Sequence, residues 1–253
     1  MDESVQGRTV VITGAAGGIG RAWVRGFLKD GFRVVAADIN SEGLSELAQA
    51  GALTRVTDVT SSADMNGLVD FAMEKAGRID VLFNNAGIGS RRRIENLKDG
   101  EFERIVGASL FGTVNGLRAV IPVMRQQDYG RIVNTISRAP EIDPAGNAPH
   151  GATKAGVWVV TRVAAREVSD TDILVNGLIP GPTNTGLWGR DMPNMKPPEA
   201  TYPTAHMLAT LPTGGPNGKA FFNRERYTMY APDNEVLQTN DLRSEPPPNV
   251  PRE

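Results

Sequence analysis

From Thr9 to Leu178 the chain alternates short β-branched runs with longer stretches of helical spacing. The runs are Thr9–Ile12, Arg33–Ala36, Val81–Phe83, Arg131–Ile136 and Ile173–Leu178. Between them lie Ala22–Lys29, Met65–Lys75, Phe102–Met124 and Ala155–Val168. Two-residue turns join antiparallel strands, whereas connections this long, each carrying a helix, join parallel ones. The expected fold is α/β, a doubly wound parallel sheet in a single domain. At 253 residues the chain can bury the core of one such domain.

The pattern changes at Pro180, and 13 of the 17 prolines fall from there onward. Proline disfavours long regular elements. Residues 1–230 read as one domain, within which 184–216 form a loop-and-short-helix insertion and Lys219–Arg224 a last strand. Leu187, Trp188, Met192, Met195, Tyr202, Met207 and Leu208 suit either a lid over a bulky ligand or a subunit contact. Residues 231–253 are polar and proline-rich and read as a poorly ordered tail or a strap over a neighbouring subunit.

Composition narrows the class of function. A net charge of -2 argues against nucleic acid or an anionic membrane as the main partner. With no cysteine and two histidines, a metal centre is not expected. No apolar stretch approaches the roughly 20 residues of a membrane span, and no signal peptide is legible in MDESVQGRTV. A soluble, cytoplasmic protein is the expectation.

TGAAGGIG (Thr13 to Gly20) directly follows the first apolar run. Gly14 permits a tight turn, while Gly18 and Gly20 let backbone approach a pyrophosphate and let the helix pack closely. Ile19 lies between them, where the helix N-terminus offers free N–H groups to phosphates. Asp38 ends the second strand, one helix and one strand beyond Gly20, and can accept from adenosine ribose hydroxyls. Its carboxylate repels a 2′-phosphate, and no lysine or arginine adjoins it in sequence, so NAD(H) is favoured over NADP(H). This arrangement is Rossmann-like.

These motifs, with Asp58-Val59, Asn84-Asn85-Ala86-Gly87, GRIVNTIS, HGATK and Pro180-Gly181-Pro182-Thr183-Asn184-Thr185, resemble the short-chain dehydrogenase/reductase family over residues 7 to 186. The resemblance implies that Asp58 and Val59 contact adenine and that Asn85, Ala86 and Gly87 support the sheet beside the cofactor. It implies too that Pro180, Gly181, Thr183 and Thr185 border the nicotinamide. Its active site implies an asparagine, a serine, a tyrosine and a lysine. Ser137 stands at the serine and Lys154 at the lysine. His150 occupies the tyrosine position, at the separation from Ser137 that the family keeps, and Ser109 the asparagine position.

Histidine starts near 6.5, and the charges of Lys154 and oxidised nicotinamide would push it lower. Neutral imidazole at pH 7 accepts a proton from an alcohol but donates poorly to a carbonyl. Arg91-Arg92-Arg93 and Arg138 are candidates for an anionic substrate group, with a solvated charge run as the plainer account of the triplet; Glu141 and Asp143 stand near Arg138, either to neutralise it or to orient His150. Trp188 is a further candidate for substrate contact. Val157, Trp158, Val160 and Val163 make the catalytic helix apolar beyond one stripe, which suits the homodimer or homotetramer the resemblance implies.

The leading expectation is an NAD(H)-dependent oxidoreductase that interconverts a secondary alcohol and a carbonyl on a small substrate, bulky or anionic, with an altered proton relay. A non-redox lyase or isomerase on the same scaffold, and a catalytically impaired NAD-binding regulator, stay open as alternatives.

Overall fold

A computed structural model describes residues 6–142, 144–187 and 192–231. One sheet runs β3-β2-β1-β4-β5-β6-β7-β8. Its strands are β1 (Thr9–Thr13), β2 (Arg33–Asp38), β3 (Leu53–Val56), β4 (Val81–Asn84), β5 (Gly130–Thr135), β6 (Ile173–Ile179), β7 (Ala220–Phe222) and β8 (Glu225–Tyr227). All pairings are parallel except the last, β7 with β8. The helices are α1 (Gly18–Lys29), α2 (Ser41–Gln49), α3 (Ser62–Ala76), α4 (Glu101–Val106), α5 (Gly112–Gln127), α6 (Ala139–Ile142), α7 (Ala148–Glu167) and α8 (Tyr202–Ala209).

The expected doubly wound α/β sheet is the fold observed. β1, β4, β5 and β6 are buried along their whole length, as strands covered on both faces require. One core layer joins the sheet to α1, α2 and α8 through Trp23, Phe27, Leu44 and Leu208. The other joins it to α3, α5 and α7 through Leu68, Leu117, Val120 and Ala164. The chain builds outward from β1 to β3, then crosses back to place β4 on the other side of β1. That reversal opens a crevice at the strand ends, where ligands bind in open α/β sheets.

Several elements depart from the sequence-based expectation. α7 begins at Ala148, not Ala155, because Pro149 suits the first helical turn; His150 is therefore in that turn. The last strand is a hairpin, with β7 and β8 joined at Asn223-Arg224. α2 has no counterpart among the expected helices. Finally, α4, a π-turn over Gly107–Phe111 and α5 form one continuous helix, Glu101–Gln127, of 27 residues, long and apolar enough by length and composition to cross a membrane. It is a core helix here, packed on α3, α7, β4 and β5.

Within the 184–216 segment, Ala205, Leu208 and Ala209 enter the core, and Tyr202 and Met207 pack against it. Trp23 Nε1 donates to Thr201 Oγ1 at 2.8 Å, tying this segment to α1. These side chains cover the sheet. Trp188, Asp143 and all but the first residue of the 231–253 tail lie outside the described residues.

Candidate functional site

The glycine turn connects β1 to α1 with no side-chain cap on the helix, so its first N–H groups stay available to an anion. Gly14 has φ +65, and a Cβ there would meet Ala86 Cα at 2.7 Å; one on Gly20 would meet Gly14 O at 2.1 Å. Only glycine leaves the turn this closed. A Cβ on Gly18 would meet Thr185 Cα at 2.9 Å, so the loop after β6 folds directly over the turn. Gly181, with φ +75, starts that loop, and Thr183 Oγ1 donates to Gly181 O at 3.1 Å. Ile19 packs against the core beneath the turn.

At the end of β2, Asp38 Oδ2 accepts from Ala16 N at 3.0 Å and Oδ1 from Asn40 N at 2.9 Å. Each oxygen keeps a lone pair for a ribose hydroxyl. A guanidinium does come near: Arg21 donates through Nη2 to Ala16 O at 3.1 Å, but it is paired with Glu46. Asp58 is exposed and accepts from Thr60 N at 2.9 Å. Val59 turns its side chain into the core and its carbonyl to Asn115 Nδ2 at 2.9 Å.

Thr13 joins the two sides of the crevice. Its hydroxyl donates to Phe83 O at 3.2 Å and accepts from Asn85 N and Ala86 N, both at 3.1 Å. Asn85 Nδ2 donates to Thr13 O at 3.1 Å, and its Oδ1 accepts from Thr135 Oγ1 at 3.3 Å. Thr13 and Thr135 are not among the residues expected at the site, although Thr13 opens the glycine motif. No spacing rule announces either contact. The fit to a dinucleotide rests on this cradle: an uncapped helix end, three close-packed glycines and a carboxylate with spare lone pairs.

β5 and α7 carry the catalytic candidates. Lys154 Nζ donates to Thr135 O at 2.6 Å, which holds the ammonium at the end of β5. Burial draws its pKa down to about 8. Ser137 Oγ accepts from Ala139 N at 3.0 Å, leaving its own proton to donate to a substrate oxygen. His150 precedes Lys154 by one helical turn and is 7% exposed. Burial, then the Lys154 ammonium and the Arg91 guanidinium, push the imidazole down to about 3. The first turn of α7 adds a helix dipole of the same sign. Ser109 lies in the π-turn, 2% exposed, and a Cβ on Gly87 would touch its Oγ at 2.7 Å. The wider winding thus turns Ser109 onto the segment after β4.

The arginines take different places. Arg92 pairs with the buried Glu101 at 3.2 Å. Arg93 is exposed, 3.9 Å from Glu95. Arg91 is half-buried and acts on His150. Arg138 lies 4.0 Å from Glu141 of α6 and over the Tyr227 ring of β8 at 5.3 Å.

Comparison with known proteins agrees with this architecture. The family model described as short chain dehydrogenase matches residues 8–196. A 3-oxoacyl-(acyl-carrier-protein) reductase of Thermotoga maritima is 34% identical over 216 residues, covering 83% of this chain and 85% of its own. A diacetyl reductase ((S)-acetoin forming) of Staphylococcus epidermidis is 33% identical over 190 residues, covering 72% and 74%. Among solved structures, the 3-ketoacyl-(acyl-carrier-protein) reductase of Brucella melitensis complexed with NADH superposes with a TM-score of 0.81 at 29% identity, covering 86% of this chain and 96% of that one. An NAD+-bound xylitol dehydrogenase gives 0.79 at 25% identity, covering 87% and 98%. With a fold, a cofactor cradle and a family match that coincide over the same residues, the chain belongs to the short-chain dehydrogenase family and is an oxidoreductase.

Proposed function

We propose that the protein interconverts a secondary alcohol and a carbonyl with NAD(H), and that its proton relay is altered at His150 and Ser109. The observation that carries this reading is that Lys154 is held on Thr135 O at the end of β5, two residues before Ser137, while the Thr135 hydroxyl bonds Asn85 beside the glycine turn. NAD, when bound, supplies the hydride acceptor, and Asp38 suits its unphosphorylated adenosine ribose. Ser137 would donate to the reacting oxygen. Lys154, with two ammonium protons left after Thr135, would hold the nicotinamide ribose.

His150 stays neutral at pH 7 because its pKa is about 3. It would take the alcohol proton as a weak base and would be a poor donor to a carbonyl. Ser109, facing Gly87, would bridge to Lys154 through water. Oxidation should therefore suffer less than reduction. An exposed apolar strip of Phe111, Val159 and Val163 lies on the π-turn and α7. A second copy of the chain would cover it.

The test is His150→Tyr, assayed at the NADH absorbance over a panel of alcohols and carbonyls. A phenol in this place should raise carbonyl reduction by about a hundredfold, the lower range for a positioned general acid. If neither protein turns over any substrate while both bind NADH, the alcohol–carbonyl reading fails. That outcome would favour the impaired regulator, which the buried, neutral imidazole already makes the stronger alternative.

A further inference from the structure

The β7–β8 hairpin touches two loops of the cleft. At one end is α6, the single helical turn that follows Ser137. The Tyr227 hydroxyl donates to Glu141 Oε2 at 2.8 Å, and Tyr230 N donates to Oε1 of the same carboxylate. The Glu141 side chain is only 7% exposed. At the other end, the Phe222 ring lies so close to Gly181 that a Cβ there would meet it at 2.8 Å. Lys196 Nζ lies over the same ring at 5.6 Å, while Lys196 N donates to Pro182 O at 3.3 Å. Phe222 and Tyr227 meet edge to face, their ring centroids 6.4 Å apart. Ile136, just before Ser137, shares a buried cluster with Ile179, Ala220 and Met229.

A four-residue helix does not hold its own shape, because nucleating a turn fixes several residues for one hydrogen bond. α6 therefore takes its position from its contacts, and Glu141 supplies two of them. Ala139 N, the first N–H of α6, donates to Ser137 Oγ at 3.0 Å, so the place of α6 sets the direction of the serine proton. We propose that Glu141 and Tyr227 are positioning residues, which through the hairpin fix the spacing between the Ser137 hydroxyl and the 181–185 loop expected to border the nicotinamide. This inference rests on the alcohol–carbonyl reading above.

Spacing matters because hydride transfer needs the reacting atoms about 3–3.5 Å apart, and a misplacement of about 1 Å can cost on the order of a hundredfold. The hairpin suits this task, since β7 is bonded to β6 on one side and to β8 on the other. A carboxylate that accepts from two donors is also a firmer tie than a neutral acceptor. Its burial keeps water from competing for either bond.

The experiment uses the full chain with NAD and the alcohol panel, in Glu141→Ala, Tyr227→Phe, the double variant and Glu141→Gln. kcat should fall about tenfold in each single variant lacking the bond, with KM for NAD unchanged. The double variant should lose no more than Glu141→Ala, since both changes remove one interaction. Glu141→Gln should keep most of the rate, because its amide can accept from Tyr230 N and donate to the Tyr227 oxygen. Wild-type rates in both single variants, or losses that multiply in the double, would overturn the proposal and leave the alcohol–carbonyl reading intact. Amide hydrogen exchange of the NADH complex separates the two claims. Residues 137–142 should exchange faster in Tyr227→Phe while α2 does not, which supports the tie even where no hydride is transferred. Unchanged exchange over 137–142 overturns it.

Discussion

At His150 the chemistry turns on one side chain's surroundings. Its place downstream of Ser137 and one helical turn before Lys154 can be read along the chain. Sequence alone also suggests a depressed pKa, from Lys154, but burial is the larger cause and Arg91 a further one, neither of which spacing reveals. The depressed value has a consequence for stability. Between about 3 and 6.5 the unfolded chain binds a proton at this histidine and the folded chain does not, so acid favours unfolding across that window. Stability contributed by His150 is complete above 6.5 and is lost as pH falls toward 3. From pH 7 to 4.5 that loss is about 2.5 kcal/mol. Urea denaturation at both pH values should show this extra loss in the wild type and not in His150→Gln; equal losses would mean that the imidazole is not buried and neutral.

The element that departs most from expectation is the β7–β8 hairpin. Its two-residue connection, Asn223-Arg224, has φ of 50 and 69, the mirror-image turn that matches strand twist. Without a glycine, this turn is invisible to the usual dipeptide signals, so Lys219–Arg224 reads as one strand. The hairpin supports both loops at the cleft. The Phe222 ring closes on Gly181, where a Cβ would meet it at 2.8 Å, while the Tyr227 hydroxyl donates to Glu141 at 2.8 Å. Arg224 bears left-handed strain worth about 1–2 kcal/mol, of which glycine's greater unfolded freedom cancels about half. Arg224→Gly keeps the N–H that donates to Thr204 Oγ1 at 3.0 Å. It should therefore stabilise the protein by about 0.5–1 kcal/mol, measured as a raised denaturation midpoint. A lowered midpoint would show that the arginine side chain contributes more than its backbone costs. The π-turn is a similar case: helical periodicity over Phe102–Met124 reveals the helix but not its local winding, because one added residue per turn shifts faces without changing composition.

For the molecule as a whole, the apolar strip predicts assembly. Val159 and Val163 are 48% and 44% exposed, one helical turn apart, with Phe111 at 59% beside them. Leu110 packs against Gly156, which brings the π-turn alongside α7. Light scattering should give at least twice the chain mass of 27.1 kDa, and Val163→Asp should lower it while circular dichroism stays unchanged. A monomeric wild type at micromolar concentration would remove this role from the strip. Strand–helix alternation determined the parallel sheet, because connection length leaves few topologies. The glycine motif and Asp38 likewise determined the cofactor end, since backbone approach and charge are properties of the residues themselves. Tertiary structure decided the rest. It brought the charges of Lys154 and Arg91 to bear on His150, placed α8 in the core and set the protonation of His150. These depend on burial and on charges brought together from distant segments, which no local pattern encodes.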